Sequence, residues 1–339
     1  MSNCTKEESA QLVEKYWKRE WDKIRQIEFP VTREHPITEK ELLSEIKSLK
    51  KESKSSRSNS RIVKYFHKSM ILANKGGYDS PYEYWQKLKE DPELFKKFYE
   101  NRLRQSDWFK EKNGKNNDQL WIGNVPEFIY GIGLTTSMKA PQVSYFKPGY
   151  AKHLIETYLN EYDTIVDTFA GYSGRLLGAA CTGKNYIGFD LNDATVEESN
   201  KVIEFLKSND ADIAKLNLYV DVKDTLSGSG NYENYGYLSC PPYSGANGKQ
   251  IEYWEKKDGS KIECTMTCDE IIDYTLRNYV CAKYVFVVDG SSCNYDKYVT
   301  ETLVNDSYIQ ARESNDHKPK QNVEKVIVID KASRDELIG

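Results

Sequence analysis

The stretch TIVDTFAGYSGR at residues 164–175 decides the fold of this chain, because a short apolar run there leads through a glycine turn into a helix. The apolar residues at 164–166 predict a buried strand. Gly171 and Gly174 allow the backbone to turn sharply and to approach a ligand, and the helix N-terminus that follows favours an anion. The stretch therefore predicts a ligand-binding loop at the carboxyl end of a strand.

Short apolar strands alternate with helices on both sides of this loop, which predicts an α/β fold. The expected sheet is doubly wound and mostly parallel, with an antiparallel end. Strands are predicted at 164–166, 186–189, 216–220, 237–238, 284–288 and 323–329, the last paired with one around 308–311, and helices at 175–181, 194–207 and 269–282.

Residues 1–130 have a different character and are predicted to form a helical, partly basic region. Thr38 and Glu41 form a capping box for a helix over 39–51, and Pro81 is the first residue of another. The segment 47–68 carries eight basic residues against Glu52. A solvated linker and a segment that contacts nucleic-acid phosphates are both open interpretations.

Composition narrows the class of protein. With 339 residues, 39% of them hydrophobic, the chain can bury a substantial core, and its mild net charge of −4 indicates nothing by itself about nucleic acid. No apolar run is long enough to span a membrane. Seven cysteines without a framework spacing indicate reduced thiols and a cytoplasmic location. Cys264 and Cys268 are interpreted as ordinary thiols, and no metal site is predicted.

Asp190, at the end of the second predicted strand, is placed to accept hydrogen bonds from both hydroxyls of a ribose. A glycine loop with a downstream acid is by itself a weak signal that also fits a dinucleotide site. The loop begins Asp167-x-Phe169-x-Gly171 and lacks the dinucleotide pattern of three spaced glycines. S-adenosylmethionine, which has an amino-acid end, a ribose and an adenine, fits the pattern better.

A second motif, Cys240-Pro241-Pro242-Tyr243, follows an apolar strand. Two consecutive prolines fix two φ angles and remove two N–H donors, so the strand cannot continue. The result is a rigid turn that is rich in acceptors and carries an aromatic ring. Such a turn can hold the amino group of a planar base.

The loop 167–174, Asp190 and the proline pair together resemble the DNA amino-methyltransferases, which methylate adenine N6 or cytosine N4. Residues 144–148 resemble the segment that precedes the cofactor loop in that family. The resemblance covers about residues 135–331. It implies a class I methyltransferase-like Rossmann fold for 131–339, and leaves 1–130 for DNA contact or target recognition.

The resemblance also implies site residues. The methionine part of the cofactor would meet the loop and the segment before it, the ribose would meet Asp190, and Asp224 would lie near the adenine amino group. Asp221 is a rival for that last role, and a helix N-cap is the structural alternative for both acids. The implied cofactor-binding set is Phe146, Lys147, Asp167, Phe169, Gly171, Gly174, Asp190 and Asp224.

The implied catalytic set is Cys240, Pro241, Pro242 and Tyr243. Acceptors at the turn would bind the amino N–H groups and free the nitrogen lone pair for in-line attack on the sulfonium methyl group. Tyr243 would stack on a base flipped out of double-stranded DNA.

Cys240 departs from the family, which usually has Asp, Asn or Ser before the prolines. It could stand in for serine, act as a nucleophile as in carbon-5 cytosine methyltransferases, or mark a binding module with little turnover. Structured RNA is an alternative substrate, and the sequence gives no indication of a restriction partner.

Overall fold

The computed structural model describes residues 6–26, 37–51, 60–73, 79–105, 145–241, 251–255, 261–289, 295–304 and 323–339. The chain forms two compact units, each discontinuous in sequence. Unit 1 comprises Met1–Pro36 and Lys68–Val143, and unit 2 comprises Ile37–His67 and Ser144–Gly339. The boundary predicted near residue 130 lies outside the described residues.

The described helices and strands are numbered in chain order. The helices are α1 (Lys6–Arg25), α2 (Glu39–Lys51), α3 (Arg61–Phe66), α4 (Ser69–Leu72), α5 (Pro81–Glu90), α6 (Pro92–Gln105), α7 (Pro148–Tyr158), α8 (Gly174–Cys181), α9 (Asp193–Asn209), α10 (Cys268–Asn278) and α11 (Lys331–Ile338). The strands are β1 (Thr164–Asp167), β2 (Asn185–Asp190), β3 (Leu218–Val222), β4 (Gly230–Ser239), β5 (Ile251–Glu255), β6 (Lys261–Cys264), β7 (Tyr279–Asp289), β8 (Val299–Val304) and β9 (Val323–Asp330).

Unit 1 contains α1, α4, α5 and α6 in its described part. Helix α5 begins where the sequence predicts, because the Ser80 hydroxyl accepts from the Glu83 N–H and the Glu83 carboxylate accepts from the Ser80 N–H. The indole of Trp21 donates to the Leu88 carbonyl at 3.1 Å. Buried aromatic side chains such as Trp85 give this unit its own core. Unit 1 is therefore helical in its described part and has a core of its own.

Unit 2 is built on a seven-stranded sheet of order β3-β2-β1-β4-β7-β9-β8. The first five strands are parallel, whereas β9 is antiparallel to both β7 and β8. The prediction of a doubly wound, mostly parallel sheet with an antiparallel end is confirmed. Strands β5 and β6 form a separate antiparallel pair.

The strand order reverses between β1 and β4. The chain passes from β1 outward to β2 and β3, and then returns to pair β4 with the other edge of β1. Neighbouring loops leave the sheet in opposite directions at such a point, and this opens a crevice beyond the carboxyl ends of the strands. Asp167 ends β1 and Ser239 ends β4. The topology therefore places both sequence motifs beside this crevice.

Residues 37–67 belong to the unit that carries the sheet. Helix α2 has the predicted bounds, and its Lys50 ammonium lies 2.9 Å from the Asp210 carboxylate beyond α9. The ring of Phe66 packs 5.4 Å from that of Phe205 on α9. This part of the region predicted as N-terminal therefore packs on the sheet layer.

Two secondary-structure predictions need comment. The helix predicted to reach residue 282 ends at Asn278, and Tyr279 instead begins β7 by pairing with Gly230 of β4. The strand predicted around 308–311 lies outside the described residues, and β8 pairs with β9. The cysteines of the described segments are free thiols.

In the part of the chain that is described, no helix has the length and apolar character needed to cross a membrane.

Candidate active site at the carboxyl ends of the parallel strands

The loop between β1 and α8 takes a backbone path that depends on its glycines. Gly171 has a φ of +56°, in the left-handed region that glycine adopts without strain, and Ser173 has a φ of +57°. A Cβ atom on Gly174 would lie 1.8 Å from the Phe146 carbonyl oxygen. Only glycine therefore lets the segment before α7 lie directly against this loop.

Asp167 is a fully buried hydrogen-bonding centre. Its Oδ2 accepts from Arg175 Nε at 2.5 Å and from the Tyr186 hydroxyl at 2.7 Å. Its Oδ1 accepts from the Phe169 N–H at 3.1 Å and from the Ser239 hydroxyl at 3.2 Å. A carboxylate has about four acceptor sites. Contact between Asp167 and the ammonium of a cofactor stays a prediction, and it would require one of these bonds to give way.

Arg175 forms the structural ion pair that its position at the start of α8 predicts. Its side chain is buried, pairs with Asp167 and also donates to the Phe169 carbonyl. The guanidinium carbon lies 5.0 Å from the centre of the Phe146 ring. Arg175 therefore joins the cofactor loop to the segment that precedes α7.

Asp190 has free acceptor capacity where Asp167 has none. At the end of β2, its Oδ2 accepts from the Gly171 N–H at 2.8 Å and its Oδ1 from the Asn192 N–H at 2.9 Å. Burial raises the pKa of this carboxyl group, while the two N–H donors lower it. Two acceptor sites remain on a half-buried side chain, and this fits the predicted contact with ribose hydroxyls.

Asp221 lies within β3, Asp224 follows two residues after that strand, and both side chains are exposed. Asp221 accepts from the Tyr219 hydroxyl at 2.6 Å. Asp224 accepts from the Leu226 N–H in a turn, and the next residue, Thr225, donates to the Thr168 carbonyl at 2.8 Å. The described segment between β3 and β4 contains no helix, so the N-cap alternative is wrong for both acids. Asp224 is the acid that the chain holds close to the cofactor loop.

Lys147 lies just before α7 in a partly buried position. Its ammonium is 4.0 Å from the centre of the Tyr145 ring. Burial and the nearby charge of Lys64 lower the pKa of Lys147 to about 8, and the charge of Glu324 opposes the shift. Lowered lysine pKa values occur at functional sites, and contact between Lys147 and a cofactor stays a prediction.

Cys240 and Pro241 follow directly after Ser239, whose hydroxyl bonds Asp167. Pro241 is buried and Cys240 is half-buried. Burial raises the pKa of the Cys240 thiol to about 11, although the Arg175 charge acts in the opposite direction. The thiol is therefore protonated at neutral pH. Pro242 and Tyr243, the other two predicted catalytic residues, lie outside the described residues.

Several site residues carry no recognisable sequence signal. Ser239 precedes the proline motif and Tyr186 lies within β2, yet only the fold brings both to Asp167. His67 is 106 residues before Ser173 in the chain, and its Nε2 lies 2.7 Å from the Ser173 hydroxyl oxygen. A residue so distant could not have been assigned to the loop from its neighbours.

Residues 37–201 match the sequence model of the N6/N4 methyltransferases, a family described as DNA methylase. The match covers 165 of the 339 residues, slightly less than half of the chain. The Type II methyltransferase M.MthZI of Methanothermobacter thermautotrophicus is 28% identical over 155 residues, which are 44% of this chain and 42% of that protein. The match thus spans less than half the length of the relative.

Solved structures of methyltransferases are also similar to this chain. The rRNA methyltransferase AviRa from Streptomyces viridochromogenes covers 61% of this chain and 92% of its own at 14% identity, with a TM-score of 0.37. The match to the tRNA (uracil-54, C5)-methyltransferase of Pyrococcus abyssi covers 56% of this chain and 41% of that one at 16% identity, with a TM-score of 0.34. At these scores, the fold assignment rests on strand order and not on the likeness.

Proposed function

We propose that this chain transfers a methyl group from S-adenosylmethionine to the exocyclic amino group of a DNA base, adenine N6 or cytosine N4. One observation carries the proposal. The hydroxyl of Ser239 donates to Asp167 at 3.2 Å, and it brings the Cys240-Pro241 turn beside the cofactor loop. A methyl donor on the loop and an amino group at the turn would then be neighbours.

The residues around the loop suit this methyl donor, which supplies an electrophilic methyl group on a sulfonium sulfur. Asp190 has two acceptor sites left for ribose hydroxyls. The turn at Gly171 and Gly174 opens at the N-terminus of α8, where a carboxylate is favoured. The backbone of Phe146 lies against the loop at Gly174, and its ring contacts the Arg175 guanidinium.

The chemistry at the turn requires positioning and no strong base. The lone pair of an exocyclic amino nitrogen is delocalised into the base ring, so the nitrogen is a weak nucleophile. We expect carbonyl acceptors at Cys240 and Pro241 to bind its N–H groups and to favour tetrahedral geometry at nitrogen. Cys240 takes the place of serine as a neutral group, and Tyr243 stacks on the base after it leaves the duplex.

The proposed partner is double-stranded DNA, with residues 131–339 as the catalytic part and 1–130 for contact or target recognition. Residues 37–67 lie in the same compact unit as the sheet, so the proposal includes them in the catalytic part. Free thiols such as Cys181 are consistent with a cytoplasmic location, and a place in restriction–modification belongs to the same proposal.

The rival functions make different demands on Cys240. Carbon-5 methylation needs a thiolate to attack the cytosine ring, and a thiol with a pKa of about 11 is a poor source of one. Methylation of an RNA base amino group would use the same turn as the DNA reaction. A binding module with little turnover would hold the cofactor without transferring its methyl group.

Mass spectrometry of nucleosides tests all four functions. DNA and structured RNA are incubated separately with the protein and S-adenosylmethionine labelled in its methyl group, then digested to nucleosides. Label in N6-methyldeoxyadenosine or N4-methyldeoxycytidine supports the proposal. Label at carbon 5, label only in RNA, or no label despite cofactor binding would each contradict it.

A further inference from the structure

His67 connects the first segment of unit 2, residues 37–67, to the loop at residues 167–174 in the same unit. It follows α3, is 1% exposed and lies within the compact unit that carries the sheet. Its Nε2 is 2.7 Å from the Ser173 hydroxyl oxygen, and its Nδ1 is 3.3 Å from Oε2 of Glu198 on α9. The imidazole thus lies between the loop and the helix that follows β2.

Ser173 occupies a demanding position in the loop. Its φ of +57° is uncommon for a residue with a side chain, and surrounding contacts must maintain it. Its hydroxyl also lies 2.9 Å from that of Ser199, again on α9. The adjacent Tyr172 ring packs edge-on against His67, with 5.3 Å between ring centres. His67 therefore contacts two consecutive residues of the loop.

Tyr172 and Ser173 lie between Gly171 and Gly174, the two glycines that shape the loop. On one side, the Gly171 N–H holds the Asp190 carboxylate at 2.8 Å. On the other side, Gly174 accommodates the Phe146 backbone. A displacement of Ser173 would therefore shift the loop relative to both Asp190, the proposed ribose acceptor, and the segment before α7.

A serine, an imidazole and a carboxylate in series are also the groups of a nucleophilic triad. That function does not fit here. Ser173 is 1% exposed, and its hydroxyl is enclosed between His67 and Ser199, so a substrate has no access to it. The arrangement can hold the loop but cannot attack a substrate.

We propose that His67 is a positioning residue that holds the cofactor loop through Ser173. The inference rests on the proposed function, because the loop is assigned there to S-adenosylmethionine. It makes α3 and the residue after it part of the cofactor site, although they are separated in sequence by the whole of residues 68–143.

The test is a double-mutant cycle on cofactor affinity, measured by isothermal titration of the full chain with S-adenosylmethionine. We expect His67→Ala and Ser173→Ala each to raise Kd about tenfold, which corresponds to about 1.4 kcal/mol. In the double variant, Kd should rise no more than about twofold above its value in either single variant, because both substitutions remove the same hydrogen bond. His67→Gln, whose amide can reach the position of Nε2, should stay within about threefold of wild type.

His153→Ala is the matched control, since His153 on α7 stacks against Tyr150 and contacts no residue of the loop in the hydrogen bonds described. It should leave Kd unchanged. In turnover assays of the His67 variants, KM for S-adenosylmethionine should rise while KM for DNA stays constant. If His67→Ala does not fold, Ser173→Ala and His67→Gln still provide the comparison.

The outcomes separate this inference from the proposed function. If wild-type protein binds no S-adenosylmethionine, the proposed function fails. Binding by wild type with unchanged Kd in Ser173→Ala and His67→Ala overturns the role of His67 alone. Strictly additive losses in the double variant would also overturn it, because His67 would then act by another route.

Discussion

Replacing Gly174 with alanine should damage the site more than it damages the fold. The new Cβ would lie 1.8 Å from the Phe146 carbonyl oxygen and 2.7 Å from its carbonyl carbon. Real Cβ contacts are almost never shorter than 3.0 Å, so the two backbone segments must separate by at least 1.2 Å. Overpacking of this kind costs about 1–3 kcal/mol of unfolding free energy. A displacement of about 1 Å at a reacting centre can lower a rate about 100-fold.

Gly178→Ala is the matched control, one turn further along α8. Its Cβ would lie 2.6 Å from that of Ala151 and 2.8 Å from the Lys152 nitrogen, so it is also overpacked, but against α7 and away from the loop. Urea unfolding should show a similar loss of stability for both variants. For Gly174→Ala, the rate of methyl transfer should fall about 100-fold and the affinity for S-adenosylmethionine about tenfold. For Gly178→Ala, both should remain near wild type.

The comparison refutes our reasoning if both variants lose affinity equally, because the loss would then follow from stability in general. It also fails if Gly174→Ala binds S-adenosylmethionine with wild-type affinity. In that case the contact between the Phe146 segment and the loop would have no part in forming the site.

Four further predictions concern three individual side chains. Arg175→Met should lower the unfolding free energy by about 3–5 kcal/mol, since it leaves the buried Asp167 charge unpaired, and a loss below about 1 kcal/mol in urea titration would contradict this. If the Cys240 thiolate were the reactive form, its pKa of about 11 would make kcat rise about tenfold per pH unit between about pH 7 and 9. We expect Cys240 to act as a neutral group, so kcat should show no such rise. Cys240→Ser should retain substantial activity in the same assay, and its complete inactivity with intact cofactor binding would refute the positioning role. Asp190→Asn should weaken S-adenosylmethionine binding at least about tenfold by titration calorimetry, whereas Asp221→Asn should not; equal affinities of the two variants would remove Asp190 from the site.

Local chemistry in the sequence predicted local structure well. Thr38 with Glu41 marks the start of α2, and Ser80 with Pro81 marks that of α5, because a helix cap satisfies N–H groups within a few residues. The apolar runs of β1 and β2 were also recognisable, since parallel strands are buried on both faces.

Long-range pairing was not accessible in the same way. The apolar spacing of α10 continues through Tyr279, so the pattern extends the predicted helix, but pairing with β4 draws Tyr279 into β7 instead. The hydrogen-bond partners of Asp167 also show that only partners close in sequence can be predicted from local patterns. Arg175 lies on the next helix and its ion pair was predicted, whereas Ser239 reaches Asp167 only because β4 returns beside β1.

The return of β4 also has a consequence for biosynthesis. Ser239 is 72 residues beyond Asp167, so a ribosome adding about 5–20 residues per second makes it roughly 4–14 s later. During that interval, Asp167 can already pair with Arg175 and Tyr186, but its fourth bond and the neighbouring strand do not yet exist. If S-adenosylmethionine binds as proposed, it can meet an Asp167 with all four of its hydrogen bonds only after β4 has been made.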